Sequence, residues 1–208
     1  MIGIIDLKIC NLKSIHSAVN NLGHYYEIIN KEKNKNLKKF SHLIIPGVGS
    51  FSNISKEFFS NKDFEMSFNS FVQSGKPILG ICLGMHFLSK SGFENGHNNG
   101  LGLIDAEVQL MPNNKNINFN LPHIGWNEVE IKKKHIIFNK IKDKSNFYFV
   151  HSYQVNLNDQ KYCYGKTTYL EDFASIVINQ NIVGFQFHPE KSSKNGLRIL
   201  DNFLTWRP

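Results

Sequence analysis

The feature that most constrains this 208-residue chain is the string Gly80-Ile81-Cys82-Leu83-Gly84, set where an apolar strand pattern gives way to a helical one. A nucleophilic side chain with a glycine two residues away on each side is the G-x-nucleophile-x-G arrangement of a nucleophile elbow. Its glycines permit a sharp, strained turn and let other backbone come close. The side chain of Cys82 then projects from the carboxyl end of a strand. The following helix would present its first N–H groups and positive dipole end to the sulfur, which favours a thiolate. The N–H of Leu83 points where an oxyanion would form. The competing reading is a buried structural cysteine in a glycine-rich turn; the strand before and the helix after weigh against it.

The surrounding pattern supports a strand at that point. Ile2 to Ile5, Tyr26 to Ile29, His42 to Ile45 and Ile78 to Ile81 are short apolar runs of the buried-strand type. Between them, Leu12, Ile15, Ala18, Val19 and Leu22 fall on one helical face closed by Gly23, and Phe64, Phe68, Phe71 and Val72 mark a second amphipathic helix. Such alternation implies βαβ units and a parallel sheet covered on both faces. After Leu101 come short strand candidates at 106–110, 126–131, 147–150, 162–168, 174–178 and 182–187, then a helix from about Ser193 to Leu204. Ser91 to Gly100 reads as a flexible surface loop. No repeat or long linker divides the chain.

Composition and charge exclude several classes. No apolar run approaches the roughly 18 residues of a membrane span, and the N-terminus lacks the basic region and cleavage site of an export signal, so a cytoplasmic location is expected. The net charge of +7 is concentrated at Lys31, Lys33, Lys35, Lys38 and Lys39 and at Lys132, Lys133 and Lys134. No aromatics interleave with these lysines, so solvated loops are favoured over a nucleic-acid surface. Cys10, Cys82 and Cys163 are too few for a disulfide framework, and neither C-x-x-C nor H-x-x-x-H occurs, so no metal and no cofactor are expected.

A thiolate nucleophile needs a base, and the base needs an orienting group. Gly184-Phe185-Gln186-Phe187-His188-Pro189-Glu190 offers both. A strand runs into His188, Pro189 ends it, and the Glu190 carboxylate two residues on is placed to accept a hydrogen bond from the imidazole. Alone, His-Pro-Glu reads equally well as a surface turn; beside the elbow it completes a triad. The other eight histidines, His16, His24, His42, His86, His97, His123, His135 and His151, read mostly as structural or solvent-facing.

With these motifs in place, the chain resembles the class I, or triad, glutamine amidotransferases. Within them it is most similar to the glutaminase subunits of imidazole glycerol phosphate synthase in histidine biosynthesis. Besides the elbow and the His-Pro-Glu segment, the resemblance is carried by Ile45-Pro46-Gly47-Val48-Gly49-Ser50-Phe51, His123-Ile124-Gly125-Trp126-Asn127 and Phe147-Tyr148-Phe149-Val150-His151-Ser152-Tyr153. It implies one amidotransferase domain over residues 1–208, of α/β class: a mostly parallel central sheet with helices on both faces and additional short antiparallel strands. It implies Cys82 as nucleophile, His188 as base and later acid, and Glu190 as orienting carboxylate. The N–H groups of Val48 and Leu83 would form the oxyanion hole, with a peptide flip at Val48. Gly49, Gly84, His86, Ser152 and Tyr153 would hold glutamine. Asn11, Trp126 and Lys191 would face a (β/α)₈ synthase subunit that receives the ammonia.

Two departures leave alternatives open. The family usually has Gln four residues after the nucleophile, where this chain has His86, which would hold substrate, titrate beside Cys82, or only fill space. The first loop, usually D-Y-G-x-G-N, reads Asp6-Leu7-Lys8-Ile9-Cys10-Asn11, so a turn needing positive φ is harder to make. That keeps open a paralogous subunit supplying ammonia, with a barrel paralogue and a separate amidotransferase, for amidation of a surface-glycan sugar. A catalytically silent scaffold and a γ-glutamyl peptidase are the remaining, less favoured readings.

Overall fold

The computed structural model describes residues 1–8, 12–32, 36–112 and 121–208. The apolar runs of the first half form β1 (Ile2–Asp6), β2 (Tyr26–Asn30), β3 (His42–Gly47) and β4 (Ile78–Cys82). The helices are α1 (Leu12–Asn21), α2 (Phe51–Phe59), α3 (Lys62–Val72), α4 (Leu83–Phe87) and α5 (Ser193–Thr205). The second half supplies β5 (Ser89–Gly92), β6 (Asn98–Asn99), β7 (Ile104–Leu110), β8 (His123–Ile131), β9 (Ser145–His151), β10 (Tyr153–Leu157), β11 (Cys163–Tyr169), β12 (Glu171–Asn179) and β13 (Ile182–Phe185).

The main sheet runs β2-β1-β3-β4-β13-β12-β11-β8-β9. Its first five strands are parallel and the rest antiparallel. Strand periodicity divides the core between the two faces. Ile4, Ile44, Leu79 and Ile81 meet Ile15 and Val19 of α1 and Ile199 and Phe203 of α5. Ile5, Leu43, Ile45 and Ile78 meet Phe51 and Phe58 of α2 and the phenylalanines of α3. A smaller sheet, β10-β7-β5-β6, adds Ala106, Val108 and Val155 to this second cluster. Among the described residues the largest fully buried side chains are all phenylalanine, many packed edge to face around Phe58, so the phenylalanine-rich composition goes into the core. None of the described helices is long and apolar enough to cross a membrane.

Five features differ from the sequence reading, one of them strand β10, which falls in none of the expected strand segments. Helix α2 was not foreseen; its first N–H, at Phe51, is satisfied by the Glu94 carboxylate at 2.8 Å, a cap far away in sequence. Residues 91–100 are not a plain surface loop. They carry the β5–β6 hairpin, in which Ser91 is buried and Gly92 lies against the Phe51 ring. Helix α4 has only five residues, so the dipole assistance expected at Cys82 is that of little more than one turn. At the start of the first loop Lys8 takes φ +58° and its N–H donates to Asp6 Oδ1 at 2.8 Å, an Asx-type bond that offsets part of the strain of a non-glycine residue there. Cys10 and Asn11 lie outside the described residues.

The described lysines of the two basic runs are largely tied down. Lys31 is buried against Glu57 at 2.7 Å, Lys39 reaches Glu27 at 2.7 Å and Lys132 reaches Glu130 at 2.9 Å. Lys133 donates to the carbonyls of Gln160 and Lys161.

The register brings the functional segments together. Gly47 at the end of β3 is the pairing partner of Cys82 at the end of β4, and Phe185 of β13 pairs with Ile81. The loop after β3, the elbow and the His-Pro-Glu segment therefore leave the sheet side by side at its carboxyl edge, where α/β sheets place their sites. A Cβ on Gly84 would fall on the carbonyl oxygen of Ile45. Gly84→Ala is expected to lower stability by about 1–3 kcal/mol or more through overpacking against backbone, measured by urea unfolding; an unchanged midpoint would contradict this account of the elbow.

Candidate active site

Cys82 occupies the turn between β4 and α4 at φ +53°, ψ −111°, a region that L-residues populate at a cost of about 1–3 kcal/mol. The surrounding glycines make it possible. Cβ atoms at Gly47 and Gly80 would meet the α4 backbone at 2.9 and 2.5 Å. Leu83 is the first residue of α4, so its N–H has no partner within the helix and is free to face an oxyanion.

His188 lies three residues beyond the end of β13, the strand that pairs with β4 and so carries it toward Cys82. Its backbone N–H donates to the Tyr148 carbonyl on β9 at 2.9 Å. Ser192 Oγ donates to the His188 carbonyl at 2.6 Å and accepts the Tyr148 N–H at 2.9 Å. The imidazole Nδ1 lies 2.8 Å from Glu190 Oε1, with both side chains buried. Since a carboxylate only accepts, Nδ1 carries the proton, and the buried Nε2 has no hydrogen-bond partner of its own. Burial pushes the imidazole pKa down, but Cys82 beside the ring and the Glu190 carboxylate on Nδ1 outweigh it and raise it to about 10. The three residues singled out in the sequence thus converge. Nε2 faces the sulfur side of the ring, placed to hold a proton from it, and a carboxylate on Nδ1 would stabilise the resulting imidazolium.

Beside the sulfur lies a cavity of about 290 Å³, at the small end of the roughly 300–1,000 Å³ typical of ligand pockets and suited to a single amino acid. Gly49, His86, Ser152 and Tyr153 line it, together with Val48, Cys82 and Leu83. Gly84 is not part of the lining and lies beneath the elbow. Glu94, Val150 and His151 also line it and were not foreseen. Glu94 was hidden because it sits in a segment that reads as a loop. A smaller cavity of about 120 Å³ lies on the other side of the triad, lined by Ser14, Val48, His188, Glu190 and Lys191 among others.

His86 is buried, and its Nε2 lies 2.7 Å from Gln186 Oε1. Desolvation lowers its pKa to about 4, against the opposing hydrogen bond to Gln186. It is therefore neutral in the working range, which removes the reading in which it titrates beside Cys82. The Gln186 amide nitrogen in turn lies 4.0 Å from the sulfur. Trp126 is 53% exposed on the outer side of β8 next to Ile124, and its ring meets the edge of Tyr148. Among the described residues no three His, Cys, Asp or Glu side chains cluster in a way that could hold a metal.

Comparison with known proteins agrees with this geometry. The family model described as glutamine amidotransferase class-I matches residues 3–206. The chain is 38% identical to "Imidazole glycerol phosphate synthase subunit HisH 2" of Nitrobacter winogradskyi, covering 100% of this chain and 99% of that one. It is 39% identical to the HisH subunit of Caldanaerobacter subterraneus, covering 98% and 97%. Among solved structures it is similar to "Structure of PurLQS from Thermotoga maritima", with a TM-score of 0.74 at 14% identity over 98% of this chain and 96% of the other, a likeness of fold. A motif-bearing elbow, a converged triad and a match running nearly from end to end together place the chain in the class-I glutamine amidotransferase family.

Proposed function

We propose that this chain is the glutaminase subunit of an imidazole glycerol phosphate synthase, hydrolysing glutamine to glutamate and ammonia and passing the ammonia to a (β/α)₈ synthase subunit. The observation that carries the chemistry is the buried His188–Glu190 pair at 2.8 Å, with its second ring nitrogen left for Cys82. The full-length relatives bearing that name favour the histidine pathway over the sugar-amidating alternative.

The steps follow from the groups present. With its proton already on Nε2 of His188, whose pKa of about 10 keeps the imidazole charged at neutral pH, Sγ of Cys82 attacks the side-chain amide carbon of glutamine. The oxyanion is held by the N–H groups of Leu83 and Val48. Nε2 returns the proton to the departing nitrogen, releasing ammonia and leaving a thioester. Water, deprotonated by His188, attacks the thioester and glutamate leaves. Glu190 keeps Nδ1 protonated throughout. Gly49, His86, Ser152 and Tyr153 hold the substrate, with Gly84 acting from beneath the elbow. Trp126 and Lys191, with Asn11, face the synthase. Free ammonia is mostly protonated at neutral pH and then not nucleophilic, so a closed route between subunits prevents both protonation and loss.

Three outcomes are expected. A glutamine-mimicking diazo-ketone labels Cys82, read by peptide mass spectrometry, and Cys82→Ser releases no ammonia. Labelling at Cys163, whose thiol pKa is pushed up by burial, would overturn the site. His188 titrates near pH 10 in the wild type, followed by NMR of its ring protons. Removing either anionic partner destabilises the imidazolium, so Cys82→Ser and Glu190→Gln each lower that midpoint; no change in either would contradict the triad. Finally, the isolated chain releases little ammonia, and its barrel partner raises the rate by about two orders of magnitude or more, a barrier change of roughly 3 kcal/mol. Equal activity without a partner would refute the coupling.

A further inference from the structure

Two buried histidines take no part in this chemistry, and the role assigned to them below rests on the cavity beside Cys82 being a glutamine site. His123 opens β8 and His151 closes β9, and the antiparallel register sets them directly opposite each other. Both are buried. The His123 ring stacks on Tyr169 and Phe149, with centroids 4.0 and 4.8 Å away. His123 Nδ1 lies 3.0 Å from His151 Nε2, and His151 Nδ1 lies 2.9 Å from the Tyr153 carbonyl. At the far end, Asn127 Nδ2 lies 3.3 Å from His123 Nε2.

The two ends fix the direction of every proton. Asn127 Oδ1 accepts the Glu128 N–H and its Nδ2 donates to the Thr168 carbonyl, so the amide cannot be turned round. It therefore presents N–H to His123 Nε2, which must accept. A neutral imidazole has one N–H, so His123 carries it on Nδ1 and donates to His151 Nε2. His151 then carries its own on Nδ1 and donates to the Tyr153 carbonyl, which can only accept. A protonated ring would have no acceptor left. Burial keeps both rings neutral, lowering His123 to about 4 and His151 to about 3.

We infer that Asn127, His123, His151 and the Tyr153 carbonyl form a hydrogen-bond relay of fixed direction, and that both histidines are positioning residues for the glutamine cavity. The relay ends on the segment that builds one wall of the cavity. His151, Ser152 and Tyr153 line it, and the carbonyl of Val150, one residue earlier, lies 3.8 Å from the Cys82 sulfur. The bond from the His151 ring closes the turn between β9 and β10, so the pose of that wall depends on which ring nitrogen carries the proton.

Two substitutions separate hydrogen bonding from packing. His123→Phe keeps a ring between Tyr169 and Phe149 but has no polar atom; His123→Gln loses the ring but can accept from Asn127 and donate to His151. With the full chain, the rate of Cys82 labelling by the diazo-ketone glutamine mimic is compared with alkylation by iodoacetamide, which needs no amino-acid pocket. In His123→Phe the mimic is expected to slow about tenfold, as for loss of one buried hydrogen bond, while iodoacetamide stays within about twofold; His123→Gln is expected to retain most of the mimic rate. Normal labelling of His123→Phe, or equal loss in both variants, overturns the positioning role. In the wild type, ¹⁵N NMR should show both rings as neutral Nδ1–H tautomers; an Nε2–H tautomer in either overturns the relay even if no variant folds. A wild type that the mimic does not label at all refutes the glutamine reading instead, which the tautomers leave untouched.

Discussion

The site depends first on how closely the elbow can lie against β3. Cys82 points its sulfur outward only because its backbone is held in a conformation that side chains resist, and that conformation persists only because the first turn of α4 is packed against the strands beneath it. At Gly84 the clearance is nil: the Ile45 carbonyl occupies the space a methyl group would need. Gly184 of β13 is pressed against Met85 in the same way from the other side. The strain at Cys82 is thus over-determined by contacts three strands wide, and the loss of any one glycine acts on the sulfur through the backbone.

Electrostatics then separates one histidine from the others. His42, His86, His123 and His151 all lose basicity on burial, as desolvation requires of a cationic form. His188 is buried just as deeply, yet its basicity rises, because it alone has a carboxylate on one nitrogen and a thiol beside the other. One residue type in one protein interior thus appears both as a strongly basic ring and as rings that burial keeps neutral.

Much of this was readable from the sequence, for local reasons. The apolar runs of β1 to β4, the helical face of α1 and the phenylalanine spacing of α3 are periodic patterns that tertiary packing did not override. The elbow and His188–Glu190 were legible because each motif is contiguous, although only the parallel register of β4 and β13 brings them together. What stayed hidden depends on distant partners. Helix α2 starts on a carboxylate 43 residues away, and the hairpin carrying Glu94 is held by a ring from that same helix. The pairing of His123 with His151 needs the β8–β9 register, which no local pattern reveals. Lys8 shows the converse: a departure from glycine that makes positive φ harder to adopt is accommodated by a bond from its N–H to the Asp6 carboxylate.

The position of Trp126 has a practical consequence. The chain has only two tryptophans. Trp206 packs against Phe203 and His135 at the end of α5, while the Trp126 indole stands half in water beside Tyr148. Intrinsic fluorescence is therefore divided between a sheltered emitter and a wet one on the face of β8. Whatever comes to cover that face will shift the wet component toward the blue, so the protein carries its own optical gauge of docking without any attached dye.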